Sequence, residues 1–202
     1  MKLQQHLHRY FIVANVIMLA FLLVPQFGKA QTTYKINSNK SSVKVLGTSN
    51  VHDWTMTSNG VESQGVFNFN SRDELTAISS LNFTVLAKSL KSEKSSMDGR
   101  TYKTIKADEY PKITYKLKTA TVTMVQANKY KIETTGNLTI AGVTQLISTT
   151  VMALVLEDHS ISCHGSEKLK LTDYKINPPS FMLGAMKVGD DLTIQFDFNF
   201  KK

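Results

Sequence analysis

The chain has 202 residues, with 24 Lys and Arg against 16 Asp and Glu, a formal net charge of +8, and a single cysteine. This length suits one medium-sized domain or two small ones. One cysteine excludes an internal disulfide framework and any zinc site that is built from several thiolates. The totals combine two unlike parts, because residues 1–30 contain no Ser, Thr, Asp or Glu.

The first 30 residues have the three parts of a secretory signal peptide. Lys2 and Arg9 give a basic start, and the run Tyr10–Val24 that follows contains one polar residue. This run is shorter than the roughly 20 apolar residues that a membrane-spanning helix needs, which favours cleavage near Ala30 over an uncleaved anchor. We therefore predict a periplasmic or secreted protein. Its mature domain, residues 31–202, has 21 basic and 16 acidic residues, a net charge of +5.

Apolar and polar residues alternate along most of this domain, as they do in strands with one buried face. The final segment is the clearest, with an apolar residue at every second position from Leu192 to Phe200. Similar alternation occurs at Val43–Val45, Phe67–Phe69, Leu81–Val85, Ile113–Leu117 and Tyr130–Ile132. Ala141-Gly142 is predicted to be the turn of a hairpin that joins Leu138–Ile140 to Val143–Leu156.

The pattern predicts an all-β fold of about eight antiparallel strands and one short helix. Strands that are apolar inside and polar outside favour a closed barrel, because closure removes exposed strand edges. A two-sheet sandwich fits the alternation nearly as well, whereas long Ser-, Thr- and Lys-rich loops disfavour an outer-membrane barrel. The helix is expected within Ser92–Ala107. It would cover the outer face of Val143–Leu156, which is apolar on both sides.

An apolar interior is the main indication of function. The predicted lipid-binding wall comprises Phe67, Phe69, Phe83, Val85, Tyr115, Ile194, Phe196 and Phe198. Met182 and Met186 lie in an apolar loop, and flexible thioethers suit an adaptable lid over a lipid ligand. Ordinary core packing is the alternative explanation for these residues.

The sequence contains little that is typical of catalysis. His52 and Asp53 are adjacent, so on a strand they would point to opposite faces and could converge only in a turn or bulge. No HExxH pattern, nucleophile elbow or glycine-rich phosphate loop occurs. Cys163 lies two residues after Ile161, on the same face of a predicted strand, and is interpreted as a small buried hydrophobic residue. We predict no catalytic residue, no metal site and no cofactor.

Positive charge is concentrated between residues 87 and 112, where seven cations stand against four acids. A solvated surface is the first interpretation of this Lys-rich segment. The alternative is contact with an anionic headgroup or a membrane surface. Nucleic acid is not predicted as a partner, because the chain is predicted to be exported and its aromatic residues lie on apolar strand faces.

Several segments resemble the YceI-like, lipid/polyisoprenoid-binding family. Gly136–Thr144 is similar to the family's central hairpin and is the most specific match. Asp108–Tyr115 resembles its strand that carries an aromatic residue followed by proline. Tyr34–Val43 resembles the family's opening strand. Thr172–Ile176 and Val188–Ile194 resemble its closing segments.

The resemblance implies a lipocalin-like antiparallel barrel that holds a long isoprenoid chain, in a periplasmic or secreted protein without established catalytic residues. We therefore expect an exported protein that binds a polyisoprenoid or quinone lipid without catalysis. Many members have lysine where this chain has Gln145, which bears on ligand identity. One alternative is an enzyme that acts on the lipid through His52 and Asp53. Another is a structural or stress-related envelope protein without a ligand. The oligomeric state stays open, a homodimer included.

Overall fold

The computed structural model describes residues 32–202. The segments in which apolar and polar residues alternate form β-strands. The described part contains eleven strands and one α-helix. In chain order they are β1 Thr32–Ile36, β2 Ser42–Ser49, β3 Trp54–Ser58, β4 Val61–Phe69, β5 Leu75–Leu86, α1 Ser95–Thr104, β6 Lys112–Gln126, β7 Lys129–Ile140, β8 Val143–Val155, β9 Ile161–Lys170, β10 Ser180–Phe181 and β11 Met186–Lys201. The predicted signal peptide, residues 1–30, lies outside the described residues.

Eight of the strands form a ring of antiparallel neighbours in the order β1-β4-β5-β6-β7-β8-β9-β11. The ring closes where β1 pairs with the end of β11, with Ile36 opposite Phe200. An earlier part of the same edge of β11, Val188–Asp197, pairs with β2, and β3 pairs with β2. The predicted all-β antiparallel fold with one helix is therefore confirmed.

The number of strands differs from the predicted eight because extended chain is interrupted at two places. Ser38–Lys40 forms a short 3-10 turn between β1 and β2, and Asn59 and Gly60 separate β3 from β4. Asn59-Gly60 has the composition of a turn, whereas Ser38–Lys40 lies in a polar stretch where no alternation of apolar residues marks a boundary. The two-residue strand β10 pairs with the start of β11 and is too short to produce a pattern.

The predicted hairpin is present as β7 and β8. Ile140 pairs with Val143, and the two residues between them have positive φ angles, 48° at Ala141 and 78° at Gly142. Two successive left-handed residues give a turn whose twist matches that of the flanking strands. A side chain on Gly142 would also collide with the ring of Tyr110.

The prediction that the helix covers the outer face of β8 is wrong. Met97 and Thr101 of α1 instead line a cavity at one end of the ring, and Leu146 on the outer face of β8 is 59% exposed. Alternation identified an unusually apolar strand, but it could not specify which element packs there. The helix lies elsewhere because its own apolar side completes the interior.

Two polar contacts hold α1 against the preceding chain. The Tyr102 hydroxyl donates to the Leu90 carbonyl at 2.7 Å, and Asp98 accepts hydrogen bonds from the backbone nitrogen and hydroxyl of Ser92, both at 2.7 Å. Burial by itself would raise the pKa of Asp98, but these bonds and the nearby Lys91 ammonium lower it below its usual value. Asp98 therefore stays ionised where it stabilises the start of the helix.

An aromatic cluster fills the ring near the β1–β11 junction. The ring centroids of Tyr34 and Phe67 are 5.2 Å apart, and those of Phe67 and Phe200 are also 5.2 Å apart. Tyr130 joins the cluster and accepts a hydrogen bond from the Leu75 backbone nitrogen at 3.1 Å. The closing pair of strands is thus stabilised by large side chains that are almost fully buried.

We expect Phe200→Ala to lower the free energy of unfolding by about 3–5 kcal/mol, because it leaves a cavity beside the strand pair that closes the ring. Urea titration of the purified protein measures this as a lower midpoint with an unchanged slope. Leu146→Ala is the control, and its exposed site should change stability by less than about 0.5 kcal/mol. Equal effects of the two substitutions would contradict the assigned core.

Candidate functional site

Inward-facing side chains from the ring enclose an inner cavity of about 130 Å³. Its aromatic wall comes mainly from β5 and β11. The rings of Phe83 and Phe198 have centroids 4.9 Å apart, and those of Phe196 and Phe198 are stacked at 5.0 Å. Ile132, Ile147 and Val151 supply aliphatic wall on the other side. Such a wall favours apolar chains, since burial contributes roughly 25 cal/mol per Å².

Two inward glycines explain why aromatic rings line this space. A side chain on Gly165 would collide with the ring of Phe196, and one on Gly136 would collide with the ring of Tyr115. Each ring therefore lies over the glycine of the neighbouring strand. The missing glycine side chains leave room for these rings against the wall, beside the inner cavity.

A larger outer cavity of about 340 Å³ lies between the ring, α1 and the chain that leads into β11. Trp54 and Met56 form part of its wall, and α1 contributes Met97. Phe181 of β10 and Met186, the first residue of β11, also line it. This volume falls at the lower end of the usual range for small-molecule sites, about 300–1,000 Å³.

The two cavities are adjacent and share part of their walls. Five apolar residues line both cavities, namely Val43, Phe83, Leu138, Leu169 and Ile194. A slender chain could therefore pass from the outer cavity into the inner one along apolar surface. We call this shared region the neck.

Positive charge surrounds the outer cavity. Lys94, Arg100 and Lys170 are among its lining residues, whereas none of its lining residues in the described part of the chain is acidic. The Arg100 guanidinium lies 4.7 Å from the centroid of the Phe181 ring, and Lys170 pairs with Asp191 at 3.4 Å. Lys94 and Arg100 have no salt bridge within residues 32–202.

Two loops meet beside this charged rim. The Asn50 side chain donates to the Ala185 carbonyl at 2.9 Å and accepts from the Lys187 backbone nitrogen at 2.8 Å. Val51 and Met182 on these loops are exposed, Met182 by 72%, and the neighbouring Leu183 is exposed as well. Met182 and Leu183 also have positive φ angles, so a tight turn presents these apolar side chains to solvent.

Most of the predicted lipid-binding residues lie on a cavity wall. Phe67, Phe83, Tyr115, Ile194, Phe196 and Phe198 line the inner cavity, and Val85 and Met186 line the outer one. Phe69 lies instead in the aromatic cluster, 6.1 Å from Tyr34 between ring centroids. Met182 points to solvent beside the rim and lines neither cavity. Their roles in binding remain predictions.

The residues of the alternative catalytic hypothesis do not converge. His52 lines the outer cavity, and its Nδ1 lies 2.8 Å from the backbone oxygen of Asp53, not from its carboxylate. Cys163 lies inside the ring, where burial raises the pKa of its thiol to about 12. Within residues 32–202, no group of three or more His, Cys, Asp or Glu side chains could hold a metal ion.

Sequence analysis missed two polar residues that face the cavities. Glu167 lines the inner cavity and Tyr174 lines the outer one, where Tyr174 is 2% exposed. The alternation of β9 contained a signal for Glu167, because it shares the inward parity of Ile161, Cys163 and Leu169. Tyr174 lies in the 3-10 turn Thr172–Tyr174, where no periodic pattern indicates the direction of a side chain.

The arrangement defines a class of proteins in which a ring of antiparallel strands surrounds an apolar internal cavity. A model of the YceI-like domain matches residues 34–200, nearly all of the described chain, and the protein belongs to this family. The family resemblance noted in the sequence is thus confirmed. A comparison with curated proteins found no match.

Solved structures with the same fold come from several bacteria. Burkholderia cenocepacia BcnA has a TM-score of 0.65 and 16% identity, over 81% of this chain and 98% of that one. A polyisoprenoid binding domain from Saccharophagus degradans, implicated in plant cell wall breakdown, has a TM-score of 0.60 and 11% identity, over 83% and 97%. The Campylobacter jejuni YceI protein has a TM-score of 0.52 and 21% identity, over 69% and 81%. At these identities the similarity establishes the fold.

Among residues 32–202, no helix has the length and apolar character needed to cross a bilayer.

We expect Gly165→Ala to lower the free energy of unfolding by about 1–3 kcal/mol, because the added methyl group displaces the Phe196 ring into the cavity. Urea titration measures the loss, and the shifted ring resonances of Phe196 in an NMR spectrum report the displacement. Gly99→Ala is the matched control. It lies in α1 with nothing within 4 Å of the new methyl group, so it should stabilise by about 0.5–1 kcal/mol. Destabilisation by both variants would contradict this account of the wall.

Proposed function

We propose that the protein is an exported binding protein that holds a long apolar lipid of the polyisoprenoid or quinone class inside a β-barrel, without catalysing a reaction. The observation that carries the proposal is a pair of adjacent apolar cavities, one inside the closed ring of strands and one between the ring and α1. Family membership and a fold shared with a polyisoprenoid binding domain support the ligand class.

The shape of the interior supports a slender ligand. Five wall residues are shared by a larger outer cavity and a smaller inner one, and aromatic rings cover the two glycines of the inner wall. A long chain placed there would be retained by burial alone, since each buried CH₂ group contributes about 0.8 kcal/mol. The barrel would thus act as a container whose affinity grows with the length of chain that it covers.

Export completes the proposal. The basic start, apolar run and small residues before Ala30 support a signal peptide that is removed to leave residues 31–202. A barrel in the periplasm or outside the cell would shield a lipid that has no stable place in water. The separation of His52 from the Asp53 carboxylate supports a binding role over catalysis by this pair.

We expect Ile194→Trp to reduce the lipid that co-purifies with the protein at least about tenfold, because the indole would fill the neck that both cavities share. The full chain is expressed with its own signal sequence and purified from the cell envelope. The protein is then extracted with organic solvent, and the extract is analysed by mass spectrometry. Circular dichroism confirms that the variant is folded.

Leu146→Trp is the matched control, because it adds the same side chain on the exposed face of β8. It should retain the lipid of the unsubstituted protein. Equal lipid content in the Ile194 and Leu146 variants would refute binding through the neck. A folded, unsubstituted protein that yields no apolar molecule would refute the proposed function as a whole.

We also propose that the open end of the barrel contacts an anionic membrane surface through the Lys-rich segment, residues 87–112. Lys94 and Arg100 at the rim lack salt bridges within the described chain, and the exposed Val51, Met182 and Leu183 lie on the adjoining loops. Basic residues attract anionic lipid, while exposed apolar side chains can enter the interface. Contact at this end would place the cavity next to the membrane that supplies its ligand.

The combined substitution Lys94→Glu and Arg100→Glu should weaken binding to anionic vesicles roughly thirtyfold, at about 1 kcal/mol for each basic residue lost. Vesicle co-sedimentation measures the effect, which should disappear at about 1 M salt. The control is Lys118→Glu with Lys129→Glu, which changes the net charge equally on exposed positions of β6 and β7. Equal losses for the two pairs would indicate attraction by net charge alone and contradict a specific membrane-facing end.

A further inference from the structure

A row of polar side chains crosses the otherwise apolar inner wall. Tyr115 of β6, Thr134 of β7, Thr149 of β8 and Glu167 of β9 all line the inner cavity. Thr134 pairs with Thr149. The β8–β9 pairing ends at Val151 and Gly165, and the Thr149 hydroxyl next to it reaches the Ser166 carbonyl, the residue before Glu167. The tip of the Tyr115 ring lies over Gly136, which brings its hydroxyl across β7 towards Thr134. Four consecutive strands thus each contribute one polar group to the inner wall.

Two buried tyrosine hydroxyls on the cavity walls make no hydrogen bond of normal geometry within the described residues, Tyr115 Oη on the inner cavity and Tyr174 Oη on the outer one. The threonines of the row donate to backbone carbonyls instead, Thr134 to that of Thr149 at 3.3 Å and Thr149 to that of Ser166 at 3.4 Å. An unsatisfied buried polar group costs about 1–3 kcal/mol. A fold that keeps one such group on the wall of each of two adjacent cavities presents them to a ligand that enters both.

Glu167 adds an acceptor beside the two donors. It lies on the inward side of β9 between apolar positions, and it makes no salt bridge within residues 32–202. Burial raises the pKa of both tyrosines, and the nearby charge of Glu167 contributes to the rise. Burial and the charges of Asp173 and Glu167 together bring the pKa of Tyr174 to about 12. Thr134 offsets the shift of Tyr115 only in part. Both hydroxyls therefore remain protonated donors at neutral pH.

These groups are located at the neck. Tyr115 pairs with Leu138 and Glu167 pairs with Ile194, and both partners line the two cavities. Tyr174 approaches from the outer cavity. A ligand that spans both cavities therefore passes the polar groups partway along its length. By contrast, the unpartnered hydroxyl of Tyr34 lies in the aromatic cluster and lines neither cavity.

We propose that Tyr115, Tyr174 and Glu167 form a hydrogen-bonding site for one neutral oxygen function, a hydroxyl or a carbonyl, carried by the bound isoprenoid lipid. The inference rests on the proposed lipid-binding function and specifies its ligand. The tyrosines donate to the ligand oxygen, and the carboxylate of Glu167 accepts from a ligand hydroxyl. The same carboxylate repels a phosphate, so an anionic headgroup is excluded from the neck and meets only the cationic rim.

Trp54, the single tryptophan of the chain, lines the outer cavity and provides the readout. A short-chain isoprenoid benzoquinone serves as the probe, because a quinone ring bound there quenches indole fluorescence. Three competitors of one chain length then displace it: geranylgeraniol, the corresponding hydrocarbon, and geranylgeranyl diphosphate. The alcohol and the quinone represent the two sources of a neutral oxygen.

Geranylgeraniol should bind about tenfold more tightly than the hydrocarbon, which corresponds to about 1.4 kcal/mol and is within reach of one or two buried hydrogen bonds. The double variant Tyr115→Phe and Tyr174→Phe should reduce this preference to about one and leave hydrocarbon affinity unchanged. Glu167→Gln should strengthen binding of the diphosphate while the alcohol still binds. Equal quenching by the quinone in the wild type and the double variant would contradict the proposal for carbonyl ligands and restrict the site to hydroxyl ligands.

The urea midpoint of the variants distinguishes a ligand-binding role of the two hydroxyls from a structural one. Because the protein itself leaves both hydroxyls unpaired, the two phenylalanine substitutions should keep or raise the urea midpoint. A lower midpoint, or an unchanged preference for the alcohol in the double variant, would overturn the inference and indicate hydroxyls satisfied by bound water. If the quinone probe does not quench Trp54 in the folded wild-type protein and no isoprenoid binds, the proposed lipid-binding function fails instead.

Discussion

The closure of β1 against β11 is the constraint on which the rest of the structure depends. In a strand, successive side chains point to opposite faces, so a closed ring directs every second residue of every strand into one shared interior. Pairing of Ile36 with Phe200 fixes that parity at the junction. A slip of one residue there would turn the aromatic positions of β11 outwards. The largest buried side chains, including Phe67 and Tyr34, are accordingly packed beside this junction.

The same closure explains how a cavity persists in a protein interior, where close packing is the rule. Near the junction, large side chains meet across the ring and fill it. Further along, Gly165 and Gly136 let the rings of Phe196 and Tyr115 lie along the wall. At these positions glycine has no side chain to occupy the space beside the strand, and an aromatic ring from the next strand covers it with apolar surface. One end of the interior is therefore packed and the other is hollow.

The sequence alone was sufficient to predict local features, namely strands with alternating residues and a tight turn. The alternation from Leu192 to Phe200 and the Ala141-Gly142 turn predicted β11 and the β7–β8 hairpin, since each depends on neighbouring residues only. The position of α1 could not be predicted in this way, because it depends on which distant surface its apolar side meets. The same applies to Tyr115, Glu167 and Tyr174, which lie close together only after four strands have paired in register.

The outer and inner cavities differ in charge and in hydrogen-bonding groups, and both differences favour the same orientation of a bound lipid. Lys94 and Arg100 line the outer cavity without salt bridges in the described chain, whereas Glu167 is the carboxylate that faces the inner one. An anionic group is therefore stabilised at the rim and repelled within, and a neutral oxygen meets the uncharged donors Tyr115 and Tyr174 further inside. A lipid that satisfies both conditions places its apolar tail in the inner cavity and its polar end towards the rim. The rim itself carries the exposed apolar loops, so the route that orients the ligand is also the route by which it would reach a membrane.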